Sequence, residues 1–181
     1  MIIGGLQKTT LIDFPGKLAC TVFLSGCNFR CPWCYSKELV LPEKIINQPR
    51  IEEKEFFDFL RERKELLEGV VICGGEPTIN KDLPKFIEKI KNLRFAVKLD
   101  TNGYNPKMLK DLIDQKLIDY TAMDIKVSKD KYTGFFGACV NVNDIDASVK
   151  ILKKNSETIE FRTTMVPGVH EKEDFLEIAK W

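Results

Sequence analysis

Strand-like and helix-like segments alternate along this chain, and that alternation limits the possible fold more than any other feature. The strand-like segments are short and apolar, and most are followed by about ten to fifteen residues with a helical period. This order is typical of βα units around a parallel sheet, and five such units favour a full or partial (β/α) barrel over an open sheet. The predicted strands are 18–25, 70–73, 95–99, 120–125 and 158–165. The predicted helices are 52–67, a segment from Asp82, a segment opened by Asn105 and Pro106, 144–152 and 171–181.

Length and composition predict one ordinary globular domain, residues 1–181. Hydrophobic residues make up 44% of the chain and charged residues 30%, and the net charge is +1. This balance gives no electrostatic basis for binding nucleic acid or a membrane. No apolar run reaches the roughly 18 residues that cross a bilayer, and no signal-peptide pattern is found, so we expect a cytoplasmic protein. The chain stops within a helical pattern, so we also expect either that a last strand is missing or that the protein is unusually short.

Three cysteines with the spacing Cys-x-x-x-Cys-x-x-Cys follow the first predicted strand: Cys27, Cys31 and Cys34. Three thiolates so close together can bind three corners of an iron–sulfur cube and leave the fourth iron without a protein ligand. An open metal position is a place for chemistry, so this spacing predicts an enzyme. The alternative is a structural zinc site with Cys20 or another cysteine as fourth ligand, although such sites more often use two separated Cys-x-x-Cys pairs.

The remaining cysteines are scattered through apolar or strand-like segments. In a chain with no sign of secretion, disulfides are a poorer explanation for cysteines than metal binding, catalysis or simple burial. We therefore expect small buried hydrophobic side chains at Cys20, Cys73 and Cys139.

Glycines and polar residues follow the other strands, at the carboxyl ends where barrels of this type keep their functional residues. The turn 74–77, Gly-Gly-Glu-Pro, lets backbone approach a ligand and offers a carboxylate to an amine. The turn 100–103, Asp-Thr-Asn-Gly, would by itself indicate only a polar turn. Asp124 and Lys126 share one face of a strand, where a charged pair is costly without a ligand or partner. Arg162 either pairs with a core carboxylate or reaches a ligand, and all these groups together with the cysteines predict one site.

These motifs resemble those of radical S-adenosylmethionine (SAM) enzymes, in which an aromatic residue, here Trp33, precedes the third cysteine. Residues 5–16 and 23–31 further resemble activating proteins of anaerobic ribonucleoside-triphosphate reductase, which are glycyl-radical-enzyme activases. The resemblance extends over almost the whole chain. It implies a partial (β/α) barrel of radical SAM type and an oxygen-sensitive oxidoreductase.

The resemblance also implies the cofactors, the reaction and the partners. A [4Fe-4S] cluster on Cys27, Cys31 and Cys34 would receive an electron from flavodoxin or ferredoxin and cleave SAM to methionine and a 5′-deoxyadenosyl radical. That radical would remove hydrogen from a glycine of the partner reductase, and Asp13 would face this substrate. The implied SAM-binding residues are Trp33 near the adenine, Gly74, Gly75, Glu76 and Pro77 near the amino group, and Asp100, Thr101, Asn102, Asp124, Lys126 and Arg162.

The sequence departs from the activase pattern in two places. Tyr35 and Ser36 follow the last cysteine where activases usually have His-Asn, and the last barrel strand is not present. Two other functions therefore stay open. One is a radical SAM enzyme that acts on a small metabolite such as a deazapurine precursor, and the other is a noncatalytic iron–sulfur or zinc protein that binds a partner.

Two further features receive ordinary structural interpretations. His170 is the only histidine and follows the turn 166–168, so we favour a solvent-exposed or helix-initiating side chain over a catalytic one. Phe135 and Phe136 lie in a predicted loop, where we favour local packing over contact with a partner.

Overall fold

A computed structural model describes residues 1–136, 140–155 and 158–181 of the chain. It contains one six-stranded sheet in which the strands follow one another in sequence order. The strands are β1 (Ile3–Thr10), β2 (Ala19–Leu24), β3 (Gly69–Gly74), β4 (Ala96–Thr101), β5 (Tyr120–Asp124) and β6 (Ile159–Arg162). The helices are α1 (Lys37–Val40), α2 (Pro42–Ile45), α3 (Glu53–Glu62), α4 (Leu83–Asn92), α5 (Pro106–Asp114), α6 (Tyr132–Phe136), α7 (Val142–Asn155) and α8 (Lys172–Lys180).

Strands β2 to β6 are parallel, and each pairs with its neighbour in sequence. Successive crossovers in one direction are what a partial (β/α) barrel requires, and that prediction is confirmed. The predicted parallel sheet is extended at one edge by a strand that the sequence did not predict, since β1 joins β2 in antiparallel register. The sequence missed β1 because glycines and polar residues interrupt its pattern, and only pairing with β2 defines it.

The predicted elements of the barrel are present, with ends that differ by a few residues. Asn105 caps α5 as expected, since its side chain accepts a hydrogen bond from the backbone N–H of Met108. The helix predicted over 52–67 ends earlier, at Glu62. The segment 36–50, expected to be a loop, contains the one-turn helices α1 and α2.

The two faces of the sheet differ because side chains alternate along each strand. On β4, Val97 and Leu99 point towards the helices and are fully buried in the main core. Residues Lys98 and Asp100 alternate with them and form an ion pair on the concave face. Helix α4 covers the convex face with the apolar side chains expected from its period, namely Leu83, Phe86, Ile87 and Ile90.

The amino-terminal end of the concave face is closed by the segment between β1 and β2. Phe14 is buried there in a small separate apolar cluster with Ala19 and Val71. A side chain at Gly69 would come within 2.8 Å of the Phe14 ring, so the glycine leaves the space that this ring fills. Asp13 accepts a hydrogen bond of 2.8 Å from the Thr21 hydroxyl and therefore lies at this end of the barrel. No helix in the described ranges is both long enough and apolar enough to span a membrane.

Candidate active site

The cysteine loop begins directly after β2 and faces the carboxyl ends of the neighbouring strands. Gly26 opens the loop with a left-handed backbone (φ of 98°), and its N–H donates a hydrogen bond of 2.7 Å to the carbonyl oxygen of Leu39. The three cysteines line one cavity of about 100 Å³ together with residues from the ends of β3, β4 and β5. The other residues of its wall are Phe29, Val40, Cys73, Gly74, Gly75, Glu76, Asp100, Thr101, Asn102, Asp124 and Lys126.

The turn after β3 packs its backbone against the cysteine loop. Gly74 has a φ of 115°, which favours glycine, and a side chain at Gly75 would collide with the carbonyl oxygen of Gly26. The N–H of Glu76 donates a hydrogen bond of 2.8 Å to that same oxygen. The two glycines thus allow the backbone after β3 to contact the backbone after β2. From the sequence we had expected this glycine backbone to contact a ligand.

The carboxylate of Glu76 joins the ends of β3 and β4 inside the protein. Its side chain is 1% exposed and accepts hydrogen bonds from the N–H and hydroxyl of Thr78, the hydroxyl of Thr101 and the N–H of Asn102. Burial raises the pKa of Glu76, and the four donors act against that rise. The Glu76 carboxylate, which the sequence pattern offered to a ligand amine, is therefore already hydrogen-bonded to groups of the protein. Thr101 is also turned towards Glu76, and Pro77 is buried at the start of the 3-10 turn Pro77–Ile79.

Six charged side chains form a continuous network on the concave face near the cavity. Its ion pairs are Lys126–Asp124 at 2.8 Å, Arg162–Asp124 at 3.0 Å, Arg162–Asp100 at 2.9 Å, Lys98–Asp100 at 2.8 Å, Lys98–Glu160 at 3.4 Å and Arg162–Glu160 at 3.7 Å. Three cations face three carboxylates, so the network is neutral overall. Of the two alternatives stated for Arg162, the structure shows pairing with core carboxylates.

Burial and charge act in opposite directions on the outer pair of this network. Burial raises the pKa of Asp124, but Lys126 and Arg162 outweigh it and hold that pKa below its usual value. Burial lowers the pKa of Lys126, but Asp124 outweighs it and raises that pKa. Both groups are therefore charged at neutral pH and available to groups of opposite sign.

Sequence reasoning missed Lys98 and Glu160. Each stands two residues before a predicted site residue on the same strand, and period-two alternation places it on the same face. A lysine within an apolar strand is the signal that could have been used, because a fully buried lysine needs a partner.

The aromatic residue of the cysteine loop packs beside the cavity. The Trp33 ring lies 5.7 Å from Phe135 and 6.2 Å from Phe136, measured between ring centroids. Phe136 in turn stacks on Phe29 at 4.8 Å. These contacts confirm local packing as the role of Phe135 and Phe136, but the predicted loop was wrong, because both residues lie in helix α6.

His170 has a defined structural role that differs from the one expected. Its Nδ1 accepts a hydrogen bond of 3.1 Å from the N–H of Val166, so its Nε2 donates to the carbonyl oxygen of Lys126 at 2.8 Å. The ring also lies 5.8 Å from Trp33. The prediction of a solvent-exposed or helix-initiating side chain was wrong, because His170 ties the 166–170 turn to the end of β5 and helix α8 begins beyond it.

The scattered cysteines have different surroundings. Cys20 is fully buried in the main core, as predicted. Cys73 departs from the prediction because it lines the cavity, where burial raises its pKa to about 12. Cys139 lies outside the described residues. Within the described part of the chain, no group of three or more His, Cys, Asp and Glu residues is arranged to hold a metal ion.

Comparison with known proteins identifies relatives over nearly the whole length. The sequence model that describes the radical SAM superfamily matches residues 21–181 of this chain. A protein of Methanocaldococcus jannaschii is 38% identical over 187 residues, covering 99% of this chain and 74% of the relative. Its name assigns it provisionally as a glycyl-radical enzyme activating enzyme.

Two further comparisons concern a relative whose name gives a different activity and a solved structure with a similar fold. A 7-carboxy-7-deazaguanine synthase of Thermococcus kodakarensis is 29% identical over 157 residues, covering 77% of this chain and 60% of the relative. The solved structure of anSMEcpe with bound AdoMet superposes with a TM-score of 0.64 at 16% identity, covering 87% of this chain and 46% of that one. The latter likeness supports the fold described above.

Proposed function

This chain belongs to the radical SAM superfamily, whose members bind a [4Fe-4S] cluster and SAM, and we propose that within this superfamily it is a glycyl-radical-enzyme activase. Its partner would be an anaerobic ribonucleotide reductase, with flavodoxin or ferredoxin as electron donor. The observation that carries the proposal is the 38% identity, over 99% of this chain, to a relative whose name provisionally assigns that activity. The structure supports the chemistry by gathering the three cysteines and the ends of β3, β4 and β5 around one cavity.

The residue types present fit a cluster with one iron open to SAM, although within the described residues the three cysteines do not yet stand together as a metal-binding group. Three cysteine side chains line the cavity, which suits a cube held at three corners. Burial raises the pKa of the Cys27 thiol to about 11, so a bound cation is what would hold this sulfur as a thiolate. Within the described residues, the buried Nδ2 of Asn28 has no hydrogen-bond partner, and a bound group that carries acceptors would satisfy it.

A reduced cluster bound here would supply one electron to the sulfonium of SAM, and the cleavage would give methionine and a 5′-deoxyadenosyl radical able to remove hydrogen from the substrate. The protein's part is to hold the charged ends of SAM. Lys126 and Arg162 are the cations for its carboxylate, and Asp100 and Asp124 are the carboxylates for its amine and ribose. These side chains already form a neutral network of ion pairs. When SAM binds, its charged groups would therefore replace some of these pairs with new ones and leave no buried charge unpaired.

Backbone and aromatic groups complete this binding role. Gly74 and Gly75 keep the strand end close to the cysteine loop, which leaves polar backbone rather than side chains at the cavity wall. Trp33 packs beside the loop against Phe135 and would border the adenine. Both rings pack against the apolar core that contains Phe29, beside the cysteine loop.

The substrate side of the barrel is its concave face. Asp13 lies at the amino-terminal end of that face, bonded to Thr21, where it would contact a loop of the partner enzyme. A glycine in a flexible loop can reach a recessed site because it carries no side chain.

A second candidate function is favoured by the similarity to 7-carboxy-7-deazaguanine synthase. The same cleavage of SAM would then act on a small deazapurine precursor. Both candidate functions begin with the same cleavage of SAM. An experiment that separates them must therefore identify the molecule from which hydrogen is removed.

The first experiment tests the cluster and SAM cleavage. We expect anaerobically reconstituted protein to bind four irons and to form 5′-deoxyadenosine from SAM once dithionite is added. Cys34→Ala should lose both properties, while Cys20→Ala, which alters a buried core cysteine, should keep them. One bound zinc with no four-iron chromophore would contradict the assignment of this site.

The second experiment tests the partner. The reduced protein is mixed with SAM and a candidate anaerobic ribonucleotide reductase, and electron paramagnetic resonance is used to seek a glycyl radical. A doublet that requires both proteins and SAM supports the activase. Turnover of a deazapurine precursor with no radical on the reductase would favour the second candidate instead.

A further inference from the structure

Asn102 directs a side-chain N–H towards the sulfur of the first cysteine in the loop. Its Nδ2 lies 4.0 Å from the Sγ of Cys27 and 3.0 Å from the Oδ1 of Asn28. The Asn102 side chain is almost fully buried, at 6% exposure. The two asparagines belong to different strand ends, since Asn28 follows β2 and Asn102 follows β4.

The orientation of this amide follows from its hydrogen bonds. The Oδ1 of Asn102 accepts a hydrogen bond of 3.0 Å from the N–H of Tyr104, so its Nδ2 must face the cysteine loop. The backbone of Asn102 is held separately, because its N–H donates to the Glu76 carboxylate at 2.6 Å. The donor is therefore fixed in place at both its backbone and its amide.

The Cys27 sulfur also accepts a second donor. The N–H of Phe29 lies 3.3 Å from it. A sulfur that faces two N–H groups is stabilised as its negative charge grows, because each donor interacts more strongly with a more negative acceptor.

We propose that Asn102 is a positioning residue for the cluster ligand Cys27 and raises the reduction potential of the bound cluster. One added electron makes the cluster and its thiolates more negative, so the donors stabilise the reduced form more than the oxidised form. The inference rests on the proposed placement of the cluster on Cys27. It gives Asn102 a role through the cysteine, where the sequence pattern suggested contact with SAM.

The test is a potentiometric titration of the reconstituted protein, followed by the electron paramagnetic resonance signal of the reduced cluster. Asn102→Ala should lower the midpoint potential, so that at the wild-type midpoint the ratio of reduced to oxidised cluster falls about three- to tenfold, and tenfold corresponds to about 59 mV for one electron. Asn102→Asp should lower it further, because a carboxylate replaces the donor. Asn80→Ala is the matched control, since that amide donates to the carbonyl oxygen of Pro77 in the neighbouring turn, and it should leave the potential unchanged.

The outcomes separate this inference from the proposed function. A wild-type protein with no four-iron chromophore would overturn both. A normal chromophore with unshifted potential in both Asn102 variants would overturn the inference alone, and so would unfolding of both apo-proteins, which would make Asn102 a structural residue. A folded Asn102 variant that binds fewer than four irons would support it, since the amide would then be needed to keep Cys27 as a ligand.

Discussion

At the scale of single residues, Glu76 shows how a buried carboxylate can join two strand ends. Its four donors come from the turn after β3, from the last residue of β4 and from the residue that follows β4. Glu76→Gln would place an amide NH₂ against at least one of these N–H or hydroxyl donors. We expect a loss of about 1–3 kcal/mol in the free energy of unfolding of the apo-protein, measured by urea denaturation.

The control for Glu76 is Glu88→Gln on the exposed face of α4, which should change stability by no more than about 0.5 kcal/mol. Equal stability of Glu76→Gln and wild type would contradict the role of Glu76 as a joint. That result would favour the role that the sequence pattern first suggested for Glu76, which is to bind the amine of a ligand.

Lys98 is the buried cation of the concave face, and its side chain is 1% exposed. Lys98→Met leaves Asp100 with Arg162 as its remaining partner, so the loss should be smaller than for a fully orphaned charge. We expect about 2 kcal/mol of destabilisation, below the roughly 3–5 kcal/mol typical when a buried pair is broken outright. Lys89→Met, which breaks an exposed pair with Glu53, should cost at most about 1 kcal/mol. A Lys98 variant as stable as the Lys89 variant would contradict this account.

At the scale of elements, helix α8 is attached to the barrel by the carboxylate of Asp174. This group accepts hydrogen bonds from the Lys131 ammonium at 2.6 Å, the Glu171 N–H at 2.8 Å and the Ser128 hydroxyl at 2.8 Å. The side chain of Asp174 also completes the capping box that begins the helix. One ionised group therefore serves both as cap and as anchor.

The anchoring of α8 should depend on pH. Lys131, with the two other donors, lowers the pKa of Asp174 to about 2, below its value in an unfolded chain. A lowered folded-state pKa contributes stability that is present above about pH 4 and lost as the pH falls towards 2. Asp174→Asn lacks this contribution, so the stability difference between wild type and variant should shrink over that interval in urea titrations. A difference that stays constant between pH 5 and 2 would contradict this role of Asp174.

Comparing elements also shows why some boundaries were predictable. The apolar period of α4 and the Asn-Pro start of α5 are local signals, and the structure follows both. Strand β1 has no such signal, because its glycines and polar side chains are acceptable only beside β2. Helix α3 ends before the sequence pattern does, because Arg63 leaves the helical conformation (φ of −103°, ψ of 10°), although Leu67 beyond it is still buried in the core.

At the scale of the whole molecule, the sheet is unevenly protected along its width. The residues of β3 are mostly fully buried, whereas those of β6 are intermediate or exposed. Within the described part of the chain, β6 pairs on one side only, with β5. Edge strands with little burial open at lower free-energy cost than central strands.

Amide hydrogen exchange should therefore rank the strands. We expect amides of β6 to exchange at least about tenfold faster than those of β3 and β4 in the apo-protein, because their local opening costs less free energy. Mass spectrometry of peptides covering each strand gives the measurement. Equal protection of β6 and β3 would show that the edge is covered in solution by another segment or molecule.

The sequence by itself determined the features whose signals are local. The alternation of short apolar strands with helices, and the polar turns at the strand ends, were enough to predict the barrel, while the family came from the resemblance of the motif around Cys27, Cys31 and Cys34 to that of known enzymes. Only the tertiary structure decided how those turns are used, because the deciding contacts join residues far apart in the chain. Glu76 meets Thr101 across 25 positions, and Asn102 meets Cys27 across 75. No periodicity within one segment encodes such contacts, since they exist only once the strand ends are brought to the same edge of the sheet.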